Sequence, residues 1–427
     1  MTLTTVERRM LEAVDTQGLL STLADLIAIR SLSGQENPAQ EYVADFLAQL
    51  GMEMDVWRLD FDVLRQHPAF SIEFERPGAL GVVGAMGEDA GGRSLILNGH
   101  VDVVPAGEEA NWRYPPWRAT TTDGRVYGRG ACDMKGGLAC ALYAAKAIHD
   151  AGMRLRGQLL IESVVGEEDG GVGTLAAVLR GYRADGAVVV EPTGMVVAPA
   201  QAGALSFRVM VPGLSAHGCV REEGISAIEK FIPIHQALLE LERMRNRDTT
   251  DPLYARYRLP YALCIGRVEA GDWASSVAEW LVFQGRYGVA PGEDLAVARY
   301  QFEEAVAQAD QADPWLRDHP PTVEWWGGQF APASIAVDHP LVENVSTAFA
   351  TATGAPARVA GMTYGADMRL LVNVGNTPAV LFGPGDVRYS HRPDEFVPVD
   401  DLITVTRTLA LAAVRFCGYE GTYNSSP

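Results

Sequence analysis

Short apolar runs, punctuated by glycine, alternate with helix-like stretches through the first half of the chain. Residues 19–29 and 40–50 carry apolar positions at helical spacing and predict amphipathic helices. Residues 94–97, 158–165, 186–190 and 379–382 predict short buried strands, while 136–151, 173–179 and 399–416 predict helices. That alternation is the signature of an α/β domain with a mostly parallel sheet between helices. The middle of the chain reads differently. Residues 205–211 alternate apolar and polar, as a half-exposed strand does, and 262–266, 279–284 and 322–326 predict three more strands. Residues 225–245 predict a long amphipathic helix bent at Pro233, and 294–309 a second helix. Four strands and two helices make an α+β module inserted into the larger domain. The boundaries fall at 1–203 with 328–427 for the α/β domain and 204–327 for the module. The tail, 421–427, is expected to be loose.

The chemistry lies where these strands stop. Leu95-Ile96-Leu97 leads into Asn98-Gly99-His100-Val101-Asp102. The run ending at Val165 leads into Gly166-Glu167-Glu168-Asp169, and the run ending at Val190 into Glu191. The last strand leads through Asp386 to His391. Sites in α/β sheets form at the carboxyl ends of strands, so this pattern gathers distant residues at one edge of one sheet. A lone histidine or a Glu-Glu pair is ordinarily a surface feature. A set in which each member follows a buried strand points to a metal site. Two metals close together need a bridging carboxylate, outer His and carboxylate ligands, and a carboxylate that is not a ligand to take a proton from water. The adjacent Glu167 and Glu168 can supply one ligand and one base, and Asp102 is placed to hold the His100 ring.

Composition narrows the class. The 427 residues are 48% hydrophobic and 21% charged, as in soluble globular proteins. Net charge is −19 with no Lys/Arg run, which argues against nucleic acid as a partner. No apolar stretch approaches the ~20 residues that span a bilayer, and the N-terminus lacks the pattern of a signal peptide. The five scattered cysteines form no CxxC pair or disulfide framework, so a reducing, cytoplasmic location is expected.

The motifs Gly99-His-Val-Asp-Val-Val-Pro105, Tyr127-Gly-Arg-Gly-Ala-Cys-Asp-Met-Lys-Gly-Gly137, Gly166-Glu-Glu168, Glu191-Pro-Thr193 and His391 with Pro393 and Glu395 resemble those of the M20 metallopeptidases and deacylases. The acetylornithine deacetylase and succinyl-diaminopimelate desuccinylase-like branch is most similar, through Gly271–Val277 and Thr363–Arg369. The resemblance implies a zinc-peptidase-like catalytic domain with an inserted lid that also dimerises. It implies two divalent metal ions, zinc first, with cobalt or manganese as alternatives. His100 and Glu191 would bind one, Glu168 and His391 the other, and Asp133 would bridge. Asp102 would orient His100, and Glu167 would be the general base acting with a hydroxide shared by the metals. His217 would stabilise the oxyanion, Arg369 would hold a substrate carboxylate or else form a structural ion pair with Asp367, and Ser275 and Ser276 would read the substrate. The chain departs from many relatives at Ser275-Ser276, Ala278 and Ala366-Asp367-Met368, where substrate is read. The expected reaction is hydrolysis of a small-molecule amide, with an N-acyl amino acid as first candidate. A pyrimidine deformylase, a hydrolase releasing an aromatic amine and a non-catalytic binding protein of the same fold are the alternatives.

Overall fold

Six residues in succession, Leu95–His100, are buried although three of them are not aliphatic. Only a strand covered on both faces has this pattern. It belongs to the larger of the two main sheets in the computed structural model, which describes residues 2–420 except 89 and 248 and also holds three small sheets of two or three strands. In chain order the strands of the two sheets are β1 Glu53–Arg58, β2 Leu80–Gly87, β3 Leu95–His100, β4 Gln158–Val164, β5 Gly186–Val189, β6 Gly203–Pro212, β7 Leu263–Ala270, β8 Trp280–Val289, β9 Thr322–Phe330 and β10 Ala379–Leu381. The predicted tail, 421–427, lies outside the described residues.

The chain divides into two compact units. Gln201–Ala333 with Gly361–Gly365 forms one, and the remaining described residues form the other. The first-mentioned unit holds an antiparallel sheet in the order β7-β8-β6-β9. Burial alternates along β6, so one face is covered. Helices Ala227–Arg247 and Leu295–Ala312 contribute Ile234, Leu238 and Phe302 to the core on that face. The rings of Phe207 and Phe302 lie 4.6 Å apart there. Pro233 sits inside a helix that is continuous from Ala227 to Arg247.

The other unit holds a six-stranded sheet in the order β1-β2-β4-β3-β5-β10. β4, β3, β5 and β10 are parallel neighbours, and β1 and β2 add an antiparallel edge. Sequence periodicity overlooked that edge. Half of β1 is charged and no residue in it is fully buried, while β2 contains Gly81 and Gly84. It also overlooked helix Pro340–Thr353. Helix Lys135–Asp150 is almost wholly buried and begins with Gly136 and Gly137. A Cβ on Gly137 would stand 1.9 Å from the carbonyl oxygen of Val190, so glycine lets the helix start press against the strand that leads to Glu191. No described helix is long and apolar enough to cross a membrane.

The Gly137 contact sets a test. Gly137→Ala forces backbone apart at that crossing and should cost about 1–3 kcal/mol of stability. Urea unfolding of the variant is the measurement, and an unchanged midpoint would mean the helix and strand are not locked there.

Candidate metal centre

The carboxyl ends of β4, β3, β5 and β10 lie side by side. β3 ends on His100 itself, β4 runs into the loop from Gly166 to Gly171, β5 into Glu191, and β10 onward to His391. Asp133 arrives from another direction. It directly precedes Met134, the N-cap of helix Lys135–Asp150, so the positive end of that helix faces the site. The Asp133–Met134 peptide bond is cis.

These elements bring the six predicted groups together. Asp133 turns one oxygen to each histidine: Oδ1 lies 3.3 Å from His100 Nε2 and Oδ2 lies 3.4 Å from His391 Nε2. Glu167 and Glu191 each approach His100 Nε2 to 3.9 Å, and Glu168 approaches His391 Nε2 to 3.0 Å. Ligand atoms of His100, Asp133 and Glu168 fall within 4.8 Å of one another, as do those of His100, Glu167 and Glu191. His100 is fully buried, whereas the His391 side chain is 52% exposed and its backbone has a left-handed φ of 57°. Few non-glycine residues adopt that conformation, and such strain concentrates at functional positions.

Burial and the crowded charges shift both histidines, Asp133, Glu167 and Glu191. Burial works against charge on His100, but Asp102, Asp133, Glu191 and Glu167 push its pKa well above the ordinary value. The Glu168 carboxylate is the largest influence on His391, which is pushed up to about 11. Burial alone would raise Asp133, yet the two imidazoles beside it hold it well below the usual carboxylate range. Burial, and then the charge of Glu191, drive Glu167 well up; burial and Asp133 do the same to Glu191. His100 Nε2 is buried without a hydrogen-bond partner, which a metal ion would satisfy. Imidazole nitrogens and carboxylate oxygens together suit zinc, cobalt and manganese.

Asp102 does two things. Its main-chain carbonyl meets His100 Nδ1 at 2.9 Å, while its carboxylate Oδ1 is 3.6 Å from that nitrogen. The carboxylate instead accepts the backbone N–H groups of Glu167 (3.3 Å) and Glu168 (3.0 Å). Asp102 thus links the ring of His100 to the loop bearing both glutamates. Arg369 is buried at 2% exposure and donates from Nη2 to the carbonyl of Gly170 at 2.6 Å.

The remaining predicted residues, His217, Ser275 and Ser276, are exposed neighbours in the other unit. His217 bridges to Ser276, and Gly218 N–H donates to Ser275 O at 2.7 Å. His217 Nδ1 accepts the N–H of Cys219 at 3.2 Å, capping the turn Gly218–Glu223. The neutral ring therefore carries its proton on Nε2.

Sequence reading assigned no role to the supports behind the site. Asn98 Nδ2 donates to Glu162 Oε2 (3.1 Å) and Thr174 Oγ1 (3.0 Å), and Thr174 donates to Asp367 Oδ2 at 2.6 Å. Burial pushes Glu162 up to about 7. A glutamate inside Leu159-Leu-Ile-Glu-Ser163 was the available signal, because a charge in a buried strand needs partners. Glu395 Oε1 accepts from the amides of Cys132 (2.9 Å) and Asp133 (3.1 Å), while Oε2 pairs with Arg129 at 2.5 Å. It ties the Asp133 segment to the segment of His391.

The chain is similar to known proteins in sequence and in fold. The sequence profile of peptidase family M20/M25/M40 matches residues 96–415. An N-formyl-4-amino-5-aminomethyl-2-methylpyrimidine deformylase of Halalkalibacterium halodurans is 31% identical over 89% of this chain and 89% of its own. An acetylornithine deacetylase of Myxococcus xanthus is 29% identical over 94% of this chain and 98% of its own. Among solved structures, human carnosine dipeptidase 1 is 16% identical, with a TM-score of 0.73 over 96% of this chain and 99% of that one. A di-peptidase from Saccharomyces cerevisiae is 14% identical, with a TM-score of 0.77 over 96% of this chain and 98% of that one. The last two speak for the fold alone. The matched segment contains all six clustered groups, and the chain belongs to peptidase family M20/M25/M40, as a metallohydrolase of C–N bonds.

Proposed function

We propose that this chain removes a formyl or other small acyl group from the nitrogen of a small amine, with two divalent metal ions held by His100, Asp133, Glu168, Glu191 and His391. The observation that carries the metal assignment is Asp133, which offers one oxygen to each of two imidazoles. Divalent ions bound there, zinc first and cobalt or manganese next, supply Lewis acidity and acidify water.

The protein's own groups do the rest. Glu167 is the general base. Its surroundings favour the protonated form, so it takes a proton from water and passes it to the departing amine. Water and amide become a carboxylic acid and an amine. Glu168, one residue on, serves as a ligand. The carbonyl of Asp102 fixes the His100 tautomer. His217 presents Nε2–H to the oxyanion, in its own site or that of a second copy. Pairing of two copies through the inserted unit has support in the exposed Ile228, Ile232 and Leu239 on one helix and Val268 on the edge strand β7.

The substrate reading has two supports. The relatives matched over most of their length include pyrimidine deformylases. Arg369 is buried against a backbone carbonyl, which disfavours a substrate whose recognition needs a carboxylate clamp there. An N-acyl amino acid is the second reading, supported by similarity to acetylornithine deacetylase. The zinc-loaded protein is expected to release formate from N-formyl-4-amino-5-aminomethyl-2-methylpyrimidine with a kcat/KM at least about 10-fold above its release of acetate from N-acetylornithine. The reverse order would exchange the two readings.

Two further outcomes are expected. Glu167→Gln should retain its metals by elemental analysis and lose about 10²- to 10⁴-fold in kcat. Full turnover by that variant would remove Glu167 from the role of base. Metal binding should also be linked to pH. Both histidines bind protons more tightly than usual, His391 up to about 11, so protons compete with metal and affinity should climb as pH rises. Zinc titrations from about pH 6 to about pH 8, with proton release read by calorimetry in two buffers, measure this. An affinity that did not change with pH would contradict it.

A further inference from the structure

The loop that carries Glu167 and Glu168 is made of residues that do not hold a shape by themselves. Gly166, Gly170 and Gly171 have φ of +70°, +144° and +74°. Glycine adopts these angles readily, and for the same reason it does not enforce them. Two internal bonds close the turn, from Gly170 N–H to Glu167 O at 3.1 Å and from Gly171 N–H to Gly166 O at 2.6 Å. What sets the turn against the strands must come from outside it.

Two buried guanidinium groups reach it. Arg76, 1% exposed, grips the Asp169 carboxylate with both arms, Nη1–Oδ2 at 2.9 Å and Nη2–Oδ1 at 2.5 Å. Its Nε is held by Glu36 Oε1 at 2.7 Å. Asp169 Oδ2 also accepts the amides of Glu73 (2.9 Å) and Phe74 (3.0 Å), which secures the loop to a neighbouring segment. Arg369 takes the next residue, donating to Gly170 O at 2.6 Å. A Cβ at Gly171 would lie 2.2 Å from Asp367 Oδ1 and 3.3 Å from Arg369 Nη2, so this part of the loop rests directly on that pair. With the Asp102 carboxylate on the amides of Glu167 and Glu168, each residue from 167 to 170 has a named hold.

We propose that Arg369 and Arg76 are positioning residues that lock the Gly166–Gly171 loop, so that Arg369 acts by placing Glu167 and Glu168 and not by gripping the substrate. This rests on Glu167 as base and Glu168 as ligand. A planar guanidinium bonded to a buried carbonyl is fixed in direction, and a shift of about 1 Å at a catalytic group costs on the order of 10²-fold in rate. For Arg369 to take a substrate carboxylate, it would have to release Gly170 and free the loop at the moment the base is needed.

The test uses Arg369→Met, Arg369→Lys and Arg76→Met in the full chain, with zinc affinity by chelator competition and kinetics on a formamide without a carboxylate and an N-formyl amino acid with one. Arg369→Met should lose about 10- to 100-fold in kcat on every amide the enzyme turns over, with KM unchanged, and weaken zinc binding by a similar factor through Glu168. Arg369→Lys keeps one donor for Gly170 and should recover most of both losses. It also covers the case in which the methionine variants fail to fold. Arg76→Met should repeat the double loss by way of Asp169. A rise in KM confined to the carboxylate-bearing substrate would overturn the proposal in favour of a clamp. A lowered melting temperature with unchanged kcat and zinc affinity would overturn it in favour of a merely structural role. Glu167→Gln separates the two ideas. Should that variant keep full turnover, the base assignment has failed, and the zinc affinity of the arginine variants still decides whether they lock the loop.

Discussion

Asp133 stands between two imidazoles with one oxygen for each, and Glu167, Glu168 and Glu191 share the same space. Two like charges 4 Å apart repel by about 4 kcal/mol at the effective dielectric of a protein margin. A chain free to relax would let these carboxylates spread apart. The catalytic unit is therefore built to prevent relaxation. The helix start behind Asp133, the Glu395 carboxylate on its amide, the Asp102 carbonyl on His100, Arg76 on Asp169 and Arg369 on Gly170 all oppose one tendency. The depressed pKa of Asp133 beside the raised pKa values of Glu167 and Glu191 records the result, with one carboxylate stabilised as an anion by two rings and its neighbours pressed toward neutrality.

The sheet is parallel where the site lies, and that brings the groups together. Parallel strands all end at the same edge, so their C-terminal residues meet without any loop having to travel. Those ends carry His100, the Gly166–Gly171 loop and Glu191 directly, and His391 by a short extension. A hairpin-built sheet would scatter them between two edges.

Much of this was legible in the sequence, and the reason is local. A buried central strand is an unbroken apolar run, and a ligand placed at its end is a polar residue immediately afterwards, as in Leu95-Ile-Leu-Asn-Gly-His100. What was not legible depends on pairing between segments that carry no periodic signal. Arg76 lies in an irregular stretch, and nothing around it marks it as the partner of Asp169. The Asp102 carboxylate looked suited to the imidazole two residues away, but the amides of residues far along the chain claim it. For Arg369 the sequence leaves open a substrate carboxylate or an ion pair with Asp367, and only the fold shows it enclosed with the Gly170 carbonyl as a partner. β1 and β2 escaped notice because a half-charged edge strand and a glycine-bearing strand lack the unbroken apolar pattern of the four strands beside them.

The separation of the catalytic unit into two stretches of chain has a consequence for its synthesis. His100, Asp133, Glu167, Glu168 and Glu191 all precede Gln201–Ala333, whereas β10 and His391 follow it. On the ribosome, at about 5–20 residues per second, the acid-rich part of the centre therefore waits while the whole inserted unit is made. During that wait β5, paired on one side with β3, lacks β10 on the other and is an open edge. The nascent chain carries a half-built, carboxylate-rich site until its last strand docks, and anything that binds those residues early acts on folding before it can act on catalysis.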